Sequence, residues 1–443
     1  MKTPIYNFVQ KYAKSDVARM HMPGHKGVGE IEKYDITEVF GADSLYEADG
    51  IIAQSEANAS ELFGARTIYS AEGSSLSIRA MLYLAMLYGK KRGLAPKILA
   101  ARNAHKSFAS ALGLLDIDVE WLLPKNSDSY LSSPVDKAVL EEALRRSDET
   151  PVAVYITSPD YLGGEVKIGE IAEVCHKYGV LLLVDNAHGA YLKFLNPSRH
   201  PIDLGADMCC DSAHKTLPSL TGAGYLHISK NAPDVLFENA KRAMSLFGST
   251  SPSYLILSSL DKTNLYLASG YRERLSEFIL RVDEIKAGLV NAGYTLFGSE
   301  PLKITILAKK FGYTGVELAK LLSGYGIVTE FSDPDYLVLM LTPENTDEEL
   351  SRLLLALTAV PKLTEITSVP PKLTLPRRAM SIREAILSGG VTVSAREAVG
   401  RVISAVTVGC PPAVPILVSG EVIDACCRDA FLYYGITEIS VVE

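Results

Sequence analysis

The chain has 443 residues, 47% of them hydrophobic and 22% charged, with a net charge of −8. That length holds two or three domains around a large core, and the composition is ordinary for a globular enzyme. No basic tract or basic helix stands out, which argues against nucleic acid or an anionic membrane surface as a partner. No stretch reaches the ~20 apolar residues of a membrane span. The first residues lack the apolar core of a signal peptide, so a cytoplasmic location is expected. The cysteines include two adjacent pairs, Cys209-Cys210 and Cys426-Cys427, and no C-x-x-C spacing. Neither a disulfide framework nor a metal site is expected from them.

Residues 1–65 read as an irregular arm, broken by Gly and Pro in Met22-Pro23-Gly24-His25-Lys26-Gly27 and again near Gly41, with one solid helix over 54–63. A large domain follows over 66–265. It opens on Ser70-Ala71-Glu72-Gly73-Ser74-Ser75, where Ser74 or Ser75 is expected to cap a helix reaching about Tyr88. That helix is apolar nearly all round and should be buried. A Gly-Ser-Ser turn at such an N-terminus can seat a phosphate, because free amides, hydroxyls and the positive dipole end meet there. Plain capping is the alternative.

Strand and helix then alternate. Strands are expected over 97–101, 118–123, 152–157, 181–184, 206–210 and 224–228, with helices over 107–115, 135–146 and 169–178 between them. Short buried strands separated by amphipathic helices imply an α/β fold, a mostly parallel sheet with helices on both faces. Right-handed crossovers gather the C-terminal strand ends on one edge, where ligands bind. A long helix over 261–289 should lead out of this domain. A smaller α+β domain occupies 266–365, with strands over 302–307, 327–331 and 336–341 and a helix from Asp347 capped by Thr346 and Glu349. A C-terminal unit covers 366–443, with a helix over 382–387.

The chemistry centres on Asp211-Ser212-Ala213-His214-Lys215, a turn after a strand, and on Asp185, at the end of the apolar run Val180-Leu181-Leu182-Leu183-Val184. A lysine and a buried aspartate so placed suit pyridoxal phosphate. The lysine amine condenses with the aldehyde, and the carboxylate keeps the pyridine nitrogen protonated. Ser212 and His214 can donate to phosphate oxygens. Ala187 is small enough to lie under a flat ring, and His188 caps the site or packs as a structural histidine. His105, in Arg102-Asn103-Ala104-His105-Lys106-Ser107, falls just after another strand and is placed to stack on the ring, with Ser107 as a helix cap. Ser158 either donates to the cofactor's phenolic oxygen or makes an ordinary Ser-Pro turn.

These pieces, with the late run Cys410-Pro411-Pro412-Ala413-Val414-Pro415 and Ser419-Gly420-Glu421, resemble the bacterial ornithine/lysine/arginine decarboxylases of the aspartate-aminotransferase fold, in their short form. The resemblance spans nearly the whole chain. It implies that Lys215 carries pyridoxal phosphate, that Asp185 pairs with its ring nitrogen and that His105 stacks on the ring. It also implies phosphate contacts from Ser74, Ser75, Ser212 and His214, and a homodimer or higher homo-oligomer. The late motif departs from the family pattern, which usually has Tyr-Pro-Pro-Gly-Ile-Pro and Pro-Gly-Glu, and so does Asp160 after Ser158-Pro159.

The expected reaction is decarboxylation of a small basic amino acid (lysine, arginine or ornithine) with Lys215 or His105 returning the proton. A buried basic side chain needs a carboxylate at its far end. Glu421 is the first candidate, followed by Asp160, Asp43 and Glu47. An aminotransferase or lyase of the same fold is the runner-up, since Arg377 and Arg378 offer a carboxylate clamp. A catalytically idle cofactor-binding regulatory protein is the alternative of another class.

Overall fold

A computed structural model describes residues 1–124, 129–372, 374–410 and 414–443. The apolar runs form strands β1 (Arg66–Ser70), β2 (Lys97–Ala101), β3 (Asp118–Leu122), β4 (Ala153–Thr157), β5 (Leu181–Asp185), β6 (Met208–Asp211) and β7 (Gly224–Ile228). They make one mostly parallel sheet in the order β1-β7-β6-β5-β4-β2-β3. Every residue of β5 is buried, as a strand covered on both faces requires. The chain divides into two compact units.

The first unit comprises Met1–Ala95, Val152–Tyr155 and Ile168–Leu275. In it β5 and β6 run parallel, pairing Leu183 with Met208 and Asp185 with Cys210. Strand β7 returns antiparallel to β6 and pairs on its other side with β1, also antiparallel. Around these strands pack α2 (Ile51–Phe63) and α3 (Gly73–Lys91), the latter buried on most of its surface as its apolar sequence demands, while α1 (Pro4–Ala13) packs on α2.

The second unit comprises Pro96–Pro151, Ile156–Lys167 and Ser276–Glu443. Strands β2 and β3 pair in parallel, and α4 (Lys106–Leu115) lies between them in sequence. A four-stranded sheet holds β8 (Leu296–Phe297), β9 (Lys303–Leu307), β10 (Phe331–Ser332) and β11 (Tyr336–Met340) in the order β10-β11-β9-β8. The helix Asp347–Ala359 begins with the expected capping box of Thr346 and Glu349. Farther on, β12 (Val391–Ser394) pairs with β15 (Glu438–Val441), and β13 (Thr407–Cys410) with β14 (Val414–Val418). Pro411, Pro412 and Ala413 of the late motif lie outside the described residues.

Five expectations change. The N-terminal stretch contains α1, which buries Ile5 and Val9, so it is less irregular than its loops suggested. Strand β1 adds to the expected strands; Arg66–Ser70 is short and runs straight into the Ala71-Glu72-Gly73 turn. Helix α3 starts at Gly73 with Glu72 as its N-cap residue, so Ser74 and Ser75 sit in its first turn and do not cap it. The helix expected over 261–289 is two, Tyr254–Ala268 and Tyr271–Asn291, broken at Gly270, whose φ of +73° only glycine adopts easily. Of the strand expected over 327–331 only Phe331 is in β-structure.

Candidate active site

Strands β5 and β6 are parallel neighbours, so their C-terminal ends deliver residues to the same edge. Asp185 closes β5, and Ala187 and His188 follow on its turn. Asp211 closes β6, and Ser212 leads into a short helix (Ala213–Thr216), which carries His214 and Lys215. The Lys215 ammonium nitrogen donates to His188 Nε2 at 3.0 Å. Ser212 Oγ donates to Ser74 Oγ, in the first turn of α3, at 2.9 Å. The structure thus gathers Ser74, Asp185, His188, Ser212 and Lys215 within the first unit.

His214 faces the carbonyl of Ala223, with Nδ1 at 2.8 Å, so Nδ1 carries its proton. Burial pulls its pKa down and the Lys215 charge adds to that, against the Ala223 bond. Gly73 lies against this ring: a Cβ there would stand 3.6 Å from His214 Cε1, and its φ of +64° favours glycine. The Gly73 amide is bonded to Gly222 O at 2.6 Å, so α3 offers its later amides, with the Ser74, Ser75 and Ser212 hydroxyls close by. This is a donor set suited to a phosphate.

Asp185 tests the fit of the cofactor. Only 2% of it is exposed. It accepts from the Tyr155 hydroxyl at 3.0 Å, the Ala187 amide at 3.1 Å and the Cys210 thiol at 3.6 Å. All three donors are neutral, and among the described residues no lysine, arginine or histidine pairs with it. A buried carboxylate held this way lacks a cation, which a protonated pyridine nitrogen supplies. Burial, and then the charge of Asp185, push Tyr155 well above the usual phenol range, so it remains a donor. Tyr155 and Cys210 were not foreseen as site residues; each reaches Asp185 across strands, and nothing local in the sequence marks such a contact.

His105 and Ser158 belong to the second unit. His105 is the N-cap of α4, and its Nδ1 accepts from the Ser107 amide at 3.2 Å, with Ser107 Oγ at 3.0 Å. The cap is therefore His105, where Ser107 was expected, and the ring proton sits on Nε2. Ser158 Oγ accepts from the Val166 amide at 3.0 Å.

The acids expected to grip a substrate are mostly committed elsewhere. Both oxygens of Glu421 are held by Arg102, at 2.8 and 2.7 Å, and Oε2 also takes the Val418 amide. Arg102 is 1% exposed and Glu421 3%. A carboxylate held by a forked guanidinium has its charge paired within the protein, which speaks against Glu421 as the selector. Asp160 turns inward and takes Ser132 Oγ together with the amides of Leu162 and Gly164, organising its own loop, which speaks against it as well. Asp43 gathers the amides of Ser44, Asp49, Gly50 and Ile52 ahead of α2. Glu47 alone of the four has no side-chain bond among the described residues.

Comparison with known proteins follows the same lines. A family profile described as Orn/Lys/Arg decarboxylase, major domain, matches residues 3–296. An uncharacterized protein of Bacillus subtilis is 28% identical over 95% of this chain and 92% of its own length. An arginine decarboxylase of the same organism is 29% identical over 95% of this chain and 91% of its own length. The solved Francisella novicida lysine decarboxylase superposes with a TM-score of 0.82 at 18% identity, covering 100% of this chain and 81% of that one.

Proposed function

Because the chain belongs to the Orn/Lys/Arg decarboxylase family, we propose that it removes the α-carboxylate of a free basic amino acid, arginine being the first to test. It is a pyridoxal-phosphate-dependent amino acid decarboxylase. Arginine comes first because relatives named arginine decarboxylase, 25–29% identical, align over 95% of this chain. The solved lysine decarboxylases share the fold.

Pyridoxal phosphate, when bound, draws electron density from the Cα of the attached amino acid, so that the carboxylate can leave as carbon dioxide. Lys215 would hold the cofactor covalently and afterwards return a proton to Cα. His188, next to the Lys215 nitrogen, would take up the proton that keeps this amine an ammonium and so free its lone pair. Asp185 would hold the ring nitrogen protonated, and Tyr155 would keep Asp185 aimed. Ser74, Ser75, Ser212 and His214 would hold the phosphate, with Ala187 beneath the ring. From the family resemblance, His105 would stack on the ring and Ser158 would donate to the phenolic oxygen. Glu47, which has no side-chain bond among the described residues, is the proposed grip for the basic side chain. A cytoplasmic location is part of the same reading.

The observation that carries it is the meeting of Lys215 with His188 beside the cation-free Asp185. The test is a product screen on purified protein with pyridoxal phosphate and arginine, lysine or ornithine. Amine and carbon dioxide are expected. A keto acid would mean an aminotransferase, and bound cofactor without turnover would mean an idle binding protein.

A further inference from the structure

Directly behind the cofactor residues lies a buried polar cluster that the reaction does not use. Asp211, fully buried, sits at the end of β6. Its Oδ2 lies 3.2 Å from His200 Nε2 and 3.1 Å from His227 Nε2, both imidazoles donating to it. Its Oδ1 accepts from Asn186 Nδ2 at 2.7 Å. His227 is itself tied through Nδ1 to Thr67 Oγ1 at 2.9 Å, on the strand facing it across β7 and β1. The two imidazoles stand at 88° to each other, and Phe63 packs on both. Burial alone would raise the Asp211 pKa; the two imidazoles outweigh it and leave the carboxyl well below its usual range, ionised. Asp211 is therefore held from three directions, by His200, His227 and Asn186.

What this anchored carboxylate touches gives it meaning. Asn186 is joined by a peptide bond to Asp185, and Asp211 by a peptide bond to Ser212. The backbone ladder of β5 and β6 ends at Asp185 and Cys210, with one further bond from the Asn186 amide to Cys210 O at 3.0 Å. Beyond it, the Asn186–Asp211 side-chain bond is the next link between the two chain ends. A pyridine ring carrying a phosphate is rigid, so the grip on its nitrogen and the grip on its phosphate must stand a fixed distance apart. A few tenths of an ångström of slack between the two turns would leave one end poorly held.

We propose that Asn186 and Asp211 are positioning residues, an anchored strap that sets the spacing between Asp185, at the ring nitrogen, and Ser212 and Lys215, at the phosphate and the aldehyde. The proposal rests on the cofactor roles given above. It also accounts for a buried charge in a region that could have been filled by apolar packing, a substitution proteins generally tolerate.

Asn186→Ala removes the strap and leaves Asp211 with both imidazoles. Apo protein should melt within a few degrees of wild type. The dissociation constant for pyridoxal phosphate should rise about tenfold, the loss of one hydrogen bond to a charged group. The visible circular-dichroism band of the bound cofactor should change, and kcat should fall more than KM rises. Should Asn186→Ala fail to fold, Asn186→Ser, whose hydroxyl is too short to reach Asp211, carries the same expectations. A folded variant with wild-type cofactor affinity and an unchanged dichroic band would overturn the proposal while leaving the cofactor reading intact. Wild-type protein that does not bind pyridoxal phosphate would overturn both.

Discussion

Asp160 shows how one carboxyl can answer a structural need and carry a pH signature. Burial pushes its pKa up to about 6, against the lowering pull of Ser132 and the loop amides. An unfolded aspartate titrates near 3.9. A group whose folded pKa is raised adds stability below the unfolded value, and that contribution is lost as pH rises through about 6. Asp160→Asn can keep both backbone bonds and carries no charge. Melting followed from pH 4 to 7 should therefore show the substitution gaining on wild type as pH rises, with kcat/KM for the substrate unchanged. A large rise in KM for basic amino acids would restore Asp160 as a substrate contact. Lys215→Ala should abolish the borohydride-bleachable visible band, and reduction that labels another lysine would displace Lys215 from its role. The placement of Lys215 and Asp185 just after neighbouring strands was legible in the sequence, because an apolar run precedes each. The pairing of Glu421 with Arg102 was not legible, because Arg102 lies far off in the chain; a glutamate in a motif looks the same whether it faces a ligand or an arginine.

Among the elements, most of the regular strands and helices were readable, since an apolar run between turn residues leaves little choice once it must be covered on both faces. Boundaries failed where tertiary context decides. The break between Tyr254–Ala268 and Tyr271–Asn291 needs only one glycine at positive φ, while the apolar stripe continues through it. Strand β1 is a strand because β7 offers it an edge, which no local pattern announces. The Arg102–Glu421 pair belongs to this scale as well. Arg102 lies in the turn from β2 to α4, donates to Ile416 O of β14 at 3.1 Å and stacks over Trp121 at 4.8 Å. It thereby fastens the turn that carries His105 to the C-terminal ribbon. Glu421→Gln strands a buried guanidinium, and should cost about 3–5 kcal/mol in denaturant unfolding. Replacing both partners, Arg102→Met with Glu421→Leu, should recover most of that loss. If Glu421→Gln is as stable as wild type and only raises KM, the substrate role returns to Glu421.

At the scale of the whole molecule, the N-terminal stretch leaves several apolar residues in water. Met20, Val28 and Phe40 are 90%, 79% and 105% exposed, and Met22 and Ile31 are largely so. Single exposed apolar side chains are ordinary, but five within one loop-rich stretch make a surface that association would cover. The same stretch includes Glu47, the proposed grip for the substrate's basic end. A second copy of the chain is the simplest cover, and an isologous pair would bury the stretch twice. With a net charge of −8, the chain also has enough self-repulsion to keep such contact specific rather than aggregating. The expected outcome is a dimer or larger homo-oligomer by sedimentation at micromolar concentration. Phe40→Asp combined with Met22→Asp should shift it toward monomer and lower activity in proportion, while the far-ultraviolet dichroism stays that of folded protein. Wild-type chain that sediments as a fully active monomer would break the link between the arm and assembly, and would leave these side chains without a covering partner.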